Sequence, residues 1–146
     1  IFGQVYNSSG VKAGNEFQVN TYSAHNQMNP EIATQKDGSF VVVWQSYEQN
    51  DDYDIYGQRF DVDGSPLGVE FQVNTQAIGT QKLPMVSDLE NGGFVVTWMS
   101  DEEKSYNFDV MGQIFDESGT KVGSEFLVNA NSAGFPYPDS ITGLEK

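Results

Sequence analysis

The sequence predicts an all-β chain made of repeated, antiparallel four-stranded units, and three observations carry that prediction. Four blocks recur at a nearly constant spacing. Each block is short, β-branched and aromatic, and turn dipeptides such as Asp37-Gly38, Asp63-Gly64, Asn91-Gly92 and Ser118-Gly119 separate them. No segment of about ten or more residues carries helical periodicity.

The first block is Ile1-Phe-Gly-Gln-Val-Tyr6, which recurs as Ile55-Tyr-Gly-Gln-Arg-Phe60 and Val110-Met-Gly-Gln-Ile-Phe115. The second is Gly14-Asn-Glu-Phe-Gln-Val-Asn20, which recurs from Gly68 to Asn74 and from Gly123 to Asn129. The third marks its place with Pro30, Pro84 and Pro138. The fourth is Gly38-Ser-Phe-Val-Val-Val-Trp44, repeated as Gly92-Gly-Phe-Val-Val-Thr-Trp98. Gly3 to Gly57 is 54 residues, Gly57 to Gly112 is 55, and Trp44 to Trp98 is 54. The chain divides accordingly into repeat 1 (1–54), repeat 2 (55–109) and an incomplete repeat 3 (110–146). The third copy stops before its Gly-Phe-Val-Val-x-Trp block, which predicts either a longer repeat array or completion by another chain.

Each element follows from its residues. Pro30–Gln35 and Ser39–Gln45, joined by Lys36-Asp37-Gly38, read as a hairpin. Ile55–Phe60 alternates large and small residues and reads as a third strand, and Glu70–Asn74 as a fourth. Asn7–Gly10, Asp61–Gly64 and Asp116–Gly119 are turns, because Asp, Asn and Ser before Gly bond their own backbone. A four-stranded sheet cannot bury both faces alone, and stacking repeats solves that problem. The expected architecture is a set of β-propeller blades, with a β-sandwich or a β-solenoid as the alternatives. Three blades do not close a ring that takes roughly four to eight. Self-association, or adjacent repeats of a longer chain, is therefore expected.

Composition narrows the function. The 146 residues carry 21 acidic against 7 basic side chains, a net charge of -14. No basic surplus exists to neutralise phosphates, so nucleic acid is not an expected partner. No apolar run approaches the length of a membrane span, so no membrane insertion is expected. The absence of cysteine excludes disulfides and thiolate metal sites.

The blocks at 55–61, 68–75 and 92–98 resemble a repeat found in large secreted or surface bacterial proteins of the haemolysin-type calcium-binding or adhesin-like kind. The resemblance spans nearly the whole chain. It implies a secreted or cell-surface, non-catalytic module, with calcium as a candidate stabilising ion.

Candidate sites are few. Asp52 and Asp54, echoed by Asn107 and Asp109, place hard oxygens two residues apart before a Gly, a partial calcium pattern. The alternative reading of these residues is a solvated acidic loop. Tyr47, Tyr53 and Tyr106 lie in the long loops and are candidates for binding a ligand such as a carbohydrate. Gln4, Gln58 and Gln113, kept in every Gly-Gln pair, are expected to satisfy backbone groups between blades, or else to meet sugar hydroxyls. Asn20, Asn74 and Asn129 are expected to cap turns. Trp44 and Trp98 are expected in the core. His25 is the only histidine and its repeat partner is Gly79, so no catalytic triad or zinc cluster can be assembled. The sequence therefore predicts no enzyme but an extracellular structural or adhesive module. A carbohydrate-binding propeller is the alternative, and a fragment of a glycan hydrolase the weaker one.

Overall fold

The computed structural model describes residues 1–47, 52–76, 78–101 and 108–129. Ten strands and no helix occur among them: β1 (Phe2–Tyr6), β2 (Lys12–Gln18), β3 (Gln27–Thr34), β4 (Phe40–Tyr47), β5 (Tyr53–Phe60), β6 (Pro66–Gln72), β7 (Thr80–Asp88), β8 (Phe94–Asp101), β9 (Asp109–Phe115) and β10 (Lys121–Leu127). They form a two-stranded sheet, β1-β2, and two four-stranded sheets, β3-β4-β5-β6 and β7-β8-β9-β10. All pairs are antiparallel. The two larger sheets are copies of one meander, and β1-β2 matches the second half of it.

β4 and β8 are the central strands, and their composition follows from burial on both faces. In β4, Val41 and Val43 join one core with Ile55, Val73, Phe94, Val96 and Trp98. Val42 and Trp44, pointing the other way, join a second core with Val19, Phe60, Phe17 and Ile1. The β3–β6 sheet is thus a middle layer between the β1-β2 hairpin and the β7–β10 sheet. A strand buried on both faces reads as a continuous apolar run, which is why Phe-Val-Val-Val-Trp does not alternate. The described prolines within strands, Pro30, Pro66 and Pro84, all lie on the outer strands β3, β6 and β7. There a missing N–H breaks no ladder.

Three strands begin earlier than the residue pattern suggests, β5 at Tyr53 rather than Ile55 among them. β3 starts at Gln27 rather than Pro30, and β6 at Pro66 rather than Glu70. For β3 and β6 the cause is a bulge, the one in β6 lying between Leu67 and Phe71, opposite Arg59 and Gly57. In β3 the register shifts between Met28 and Glu31, and in β7 between Lys82 and Met85. Asn29 and Leu83, each just before a proline, adopt φ of 52° and 51° at these shifts. Left-handed backbone at a non-glycine residue is uncommon, and here it re-aims the strand so that pairing continues on both sides.

The Gly-Gln pair has a second bulge to serve. Pairing of β5 with β6 shifts between Gly57 and Arg59, and β1-β2 shifts at the matching place between Gly3 and Val5. The glutamine between fills the gap. Gln58 Nε2 donates to the carbonyls of Arg59 and Leu67 at 2.9 and 3.4 Å. Gln113 Nε2 serves Ile114, Val122 and Gly123, and Gln4 serves Val5, Ala13 and Gly14. The expectation that these glutamines satisfy backbone groups holds, but they do so inside a sheet and not between sheets. Gln58→Leu is expected to lower stability by about 1–3 kcal/mol, because it strands carbonyls that are shielded from water. The shift of the urea midpoint measures it.

Candidate functional site

Tyr47, Asp52, Tyr53 and Asp54 gather at the end of the β4–β5 hairpin, where both tyrosines, expected in the long loop, belong to the paired strands, while Asp109 begins β9. Tyr47 and Tyr53 are the last cross-strand pair of that hairpin. Their rings meet edge-on with centroids 5.0 Å apart, and the His25 ring lies 6.0 Å from Tyr47. These three rings form one small aromatic cluster, in which the two tyrosines are partly shielded and His25 is exposed. The repeat equivalent of Tyr53 is Phe108, a buried ring with Lys82 Nζ 5.5 Å from its centroid. The two copies therefore differ at this position: one ends in a pair of tyrosines, the other in a covered phenylalanine. Tyr106 and Asn107 lie outside the described residues.

The carboxylates of the calcium pattern have structural partners. Asp54 is buried, and its Oδ1 accepts from Asn74 Nδ2 at 2.6 Å. Asn74 Oδ1 in turn accepts the Ile55 N–H at 2.8 Å, and its Nδ2 also reaches the Gln76 carbonyl. The same clasp recurs as Asn129 Oδ1 to the Val110 N–H at 2.7 Å, with Asn129 Nδ2 on Asp109 Oδ1 at 3.4 Å. In the first copy Asn20 Oδ1 takes the terminal ammonium of Ile1 at 2.7 Å, and its Nδ2 donates to the Tyr22 carbonyl. Each asparagine thus fixes the start of the neighbouring strand, and Asn20 and Asn74 also close a local turn. Asp52 accepts from the Thr80 hydroxyl, tying this end of the hairpin to the next sheet. Among the described residues, no group of three or more His, Asp or Glu side chains stands at metal-binding distance.

The contacts between sheets also recur, and the residue pattern alone did not reveal them. Glu70 Oε2 accepts from the N–H and hydroxyl of Thr21 at 2.6 and 2.9 Å, and Glu125 accepts from the Thr75 N–H. Gln45 Oε1 accepts from Asn29 Nδ2 at 2.8 Å and from the Leu83 N–H at 3.0 Å, so one side chain holds both left-handed bulges. Gln35 Nε2 donates to the Gly92 carbonyl at 2.6 Å, and Arg59 donates to the carbonyls of Glu117 and Ser118. The repeated Glu-Phe and Asn-Thr pairs were the visible signal. Nothing in one strand says that they meet across sheets.

In comparisons with protein-family models, curated proteins and solved structures, no significant match to the chain is found. The functional reading therefore rests on the residues. No helix among the described residues is long and apolar enough to cross a membrane.

The turn aspartates behave as turn formers. Asp116 Oδ1 accepts from Ser118 Oγ at 2.6 Å and from the N–H groups of Ser118 and Thr120, both at 2.9 Å. Asp37 accepts from Ser39 Oγ and N–H, and Asp63 from the Ser65 N–H. These hydrogen bonds, with Arg59 adding its charge for Asp37 and Asp116, hold all three carboxyls below the ordinary value of 3.8. A depressed folded value stabilises the fold above the unfolded value, and that contribution is lost as pH falls through the folded value. Denaturant midpoints are therefore expected to hold from neutral pH into the mild acid range and to drop below about pH 4. Asp116→Asn keeps the acceptor and should flatten part of that drop. A midpoint that rises on acidification would instead mean that relief of the excess negative charge dominates.

Proposed function

We propose that the chain is a non-enzymatic extracellular repeat module with a structural or adhesive role. In this reading its sheets are β-propeller blades, it self-associates or stacks on adjacent repeats, and calcium is its candidate stabilising ion. One observation carries the reading: the side chains common to the repeats are engaged in building and stacking sheets. The Gly-Gln pairs fill bulges, the asparagines clasp strand starts, Trp44 and Trp98 sit in cores, and Glu70 and Glu125 join one sheet to the next. The acidic surface and the resemblance to surface-protein repeats support an extracellular setting.

The Tyr47–Tyr53 pair beside His25 favours one second reading, a carbohydrate site at this end of the molecule, since sugar faces stack on aromatic rings.

Light scattering in EDTA and then in millimolar calcium tests the main reading. The expected result is a mass that is a multiple of 16.2 kDa. If the multiple appears only with calcium, the ends bearing Asp52, Asp54 and Asp109 become the metal sites to mutate. A folded monomer indifferent to calcium overturns both self-association and the ion. Glycan binding lost in Tyr47→Ala and Tyr53→Ala would replace the structural reading with the carbohydrate one.

A further inference from the structure

The two sheet-to-sheet interfaces inside this chain are copies of each other, but one half of the first, between the β1-β2 hairpin and the β3–β6 sheet, lies exposed. In the β3–β6 sheet, β5 has β4 along one edge and β6 along the other. β1 is the counterpart of β5. It pairs with β2, and among the described residues nothing pairs with its other edge. An apolar groove of about 470 Å³ opens there, between β1 and the face of β3 and β4. Gly3, Val5, Ile32, Phe40, Val42 and Val62 line it. Ile32 is 59% exposed, and Phe2 and Tyr6 stand open beside it.

The matching place one repeat later is filled. Val86, Phe94 and Val96 are the counterparts of Ile32, Phe40 and Val42. They pack in one core with Val41 and Val43 of β4, the strand beside β5. A strand lying beside β1 as β4 lies beside β5 would place two such valines in the groove.

We propose that this edge and groove are the docking site for a strand of the Gly-x-Phe-Val-Val-x-Trp type, supplied by a further repeat of this kind. The register follows from the β4–β5 pair, where Phe40 faces Phe60, Val41 faces Arg59, Val43 faces Gly57 and Trp44 faces Tyr56. The incoming strand runs antiparallel to β1, its Phe opposite Tyr6, its first Val opposite Val5, its third Val (or Thr) opposite Gly3 and its Trp opposite Phe2. Backbone hydrogen bonds to an unpaired edge supply attraction, and the alternate valines supply specificity. The proposal rests on the repeat-module reading.

The test uses the whole chain and a fluorescent peptide with the sequence of residues 37–47. Saturable binding is expected. It should weaken by about tenfold or more when both peptide valines 41 and 43 become Asp, because carboxylates would then be buried against apolar groups. Ile32→Asp in the protein should do the same, and because Ile32 is largely exposed that variant keeps its fold. The chain has no cysteine, so register can be read by cross-linking. Val5→Cys should join a peptide carrying Val41→Cys and not one carrying Val42→Cys, since a one-residue slip sends the side chain to the other face. Absence of binding, or equal binding by the Asp peptide, overturns the proposal, and so does cross-linking without regard to register. A monomeric chain that binds the peptide keeps this site and removes self-association. A self-associating chain that ignores the peptide does the reverse.

Discussion

Trp98→Ala is expected to cost about 3–5 kcal/mol, the range for emptying a large aromatic site in a packed interior. The ring is 1% exposed and lies in the core shared by the two larger sheets. Its Nε1–H donates to Gln81 Oε1 at 2.9 Å, and Gln81 is itself buried. Truncation therefore opens a cavity and leaves a shielded acceptor unpaired. Trp98→Phe separates the two effects, because it retains most of the apolar volume and loses only the donor. Its expected cost is about 1–3 kcal/mol. Denaturant titration gives both values. Trp44, bonded in the same way to Gln27 Oε1 at 3.0 Å, remains as the single fluorescent reporter of the other core. If Trp44 fluorescence and circular dichroism report one midpoint, the stacked sheets unfold together; separate midpoints mean that each sheet unfolds by itself. A Trp98→Ala chain as stable as the parent would refute the packing described here.

The second large effect is a contrast between two copies of one residue. Phe71 and Phe126 hold the same place in their repeats, and each ring lies over a glycine across the strand pair. A Cβ on Gly57 would come within 2.8 Å of the Phe71 ring, and one on Gly112 within 2.7 Å of the Phe126 ring. The difference lies beyond the sheet. Phe71 reaches into the next sheet, with centroids 5.4 Å from Phe115 and 6.3 Å from Phe94. Phe17 does the same toward Phe60 and Phe40. Phe126 is 40% exposed, and among the described residues no ring meets it. Phe71→Ala is therefore expected to cost about 3 kcal/mol. Phe126→Ala should cost about 1 kcal/mol or less, as at other partly exposed positions. Equal losses in urea titrations would mean that the ring acts within its own sheet, and that packing between sheets contributes little.

That contrast shows where residue patterns stop being informative. The four blocks, the turns and the strand order were legible because they depend on near neighbours: β-branched runs, Asp-Gly and Asn-Gly turns, and a fixed repeat length. The Asp37-Gly38 hairpin falls where the pattern places it, and so do the turns at Asp61–Gly64 and Asp116–Gly119. The starts of β3 and β6 were misplaced because bulges change the count of residues along a strand without changing its composition. Asp54 is a calcium candidate in the sequence through its spacing from Asp52 before a Gly, which is a local feature. Its hydrogen bond to Asn74 joins residues 20 positions apart, and only the paired strands bring them together.

The sequence by itself determined an all-β chain, its repeat and its turns, since each of these is set by local backbone preference and by alternation along a strand. Tertiary structure alone decided which copies of a repeated residue are buried. Glu70 meets Thr21, Phe71 meets Phe115, and Ile32 lies open while its counterpart Val86 is packed. The physical reason is that identical residues acquire different energies from what stacks against them. Stacking is a contact between distant segments, and no single repeat encodes it.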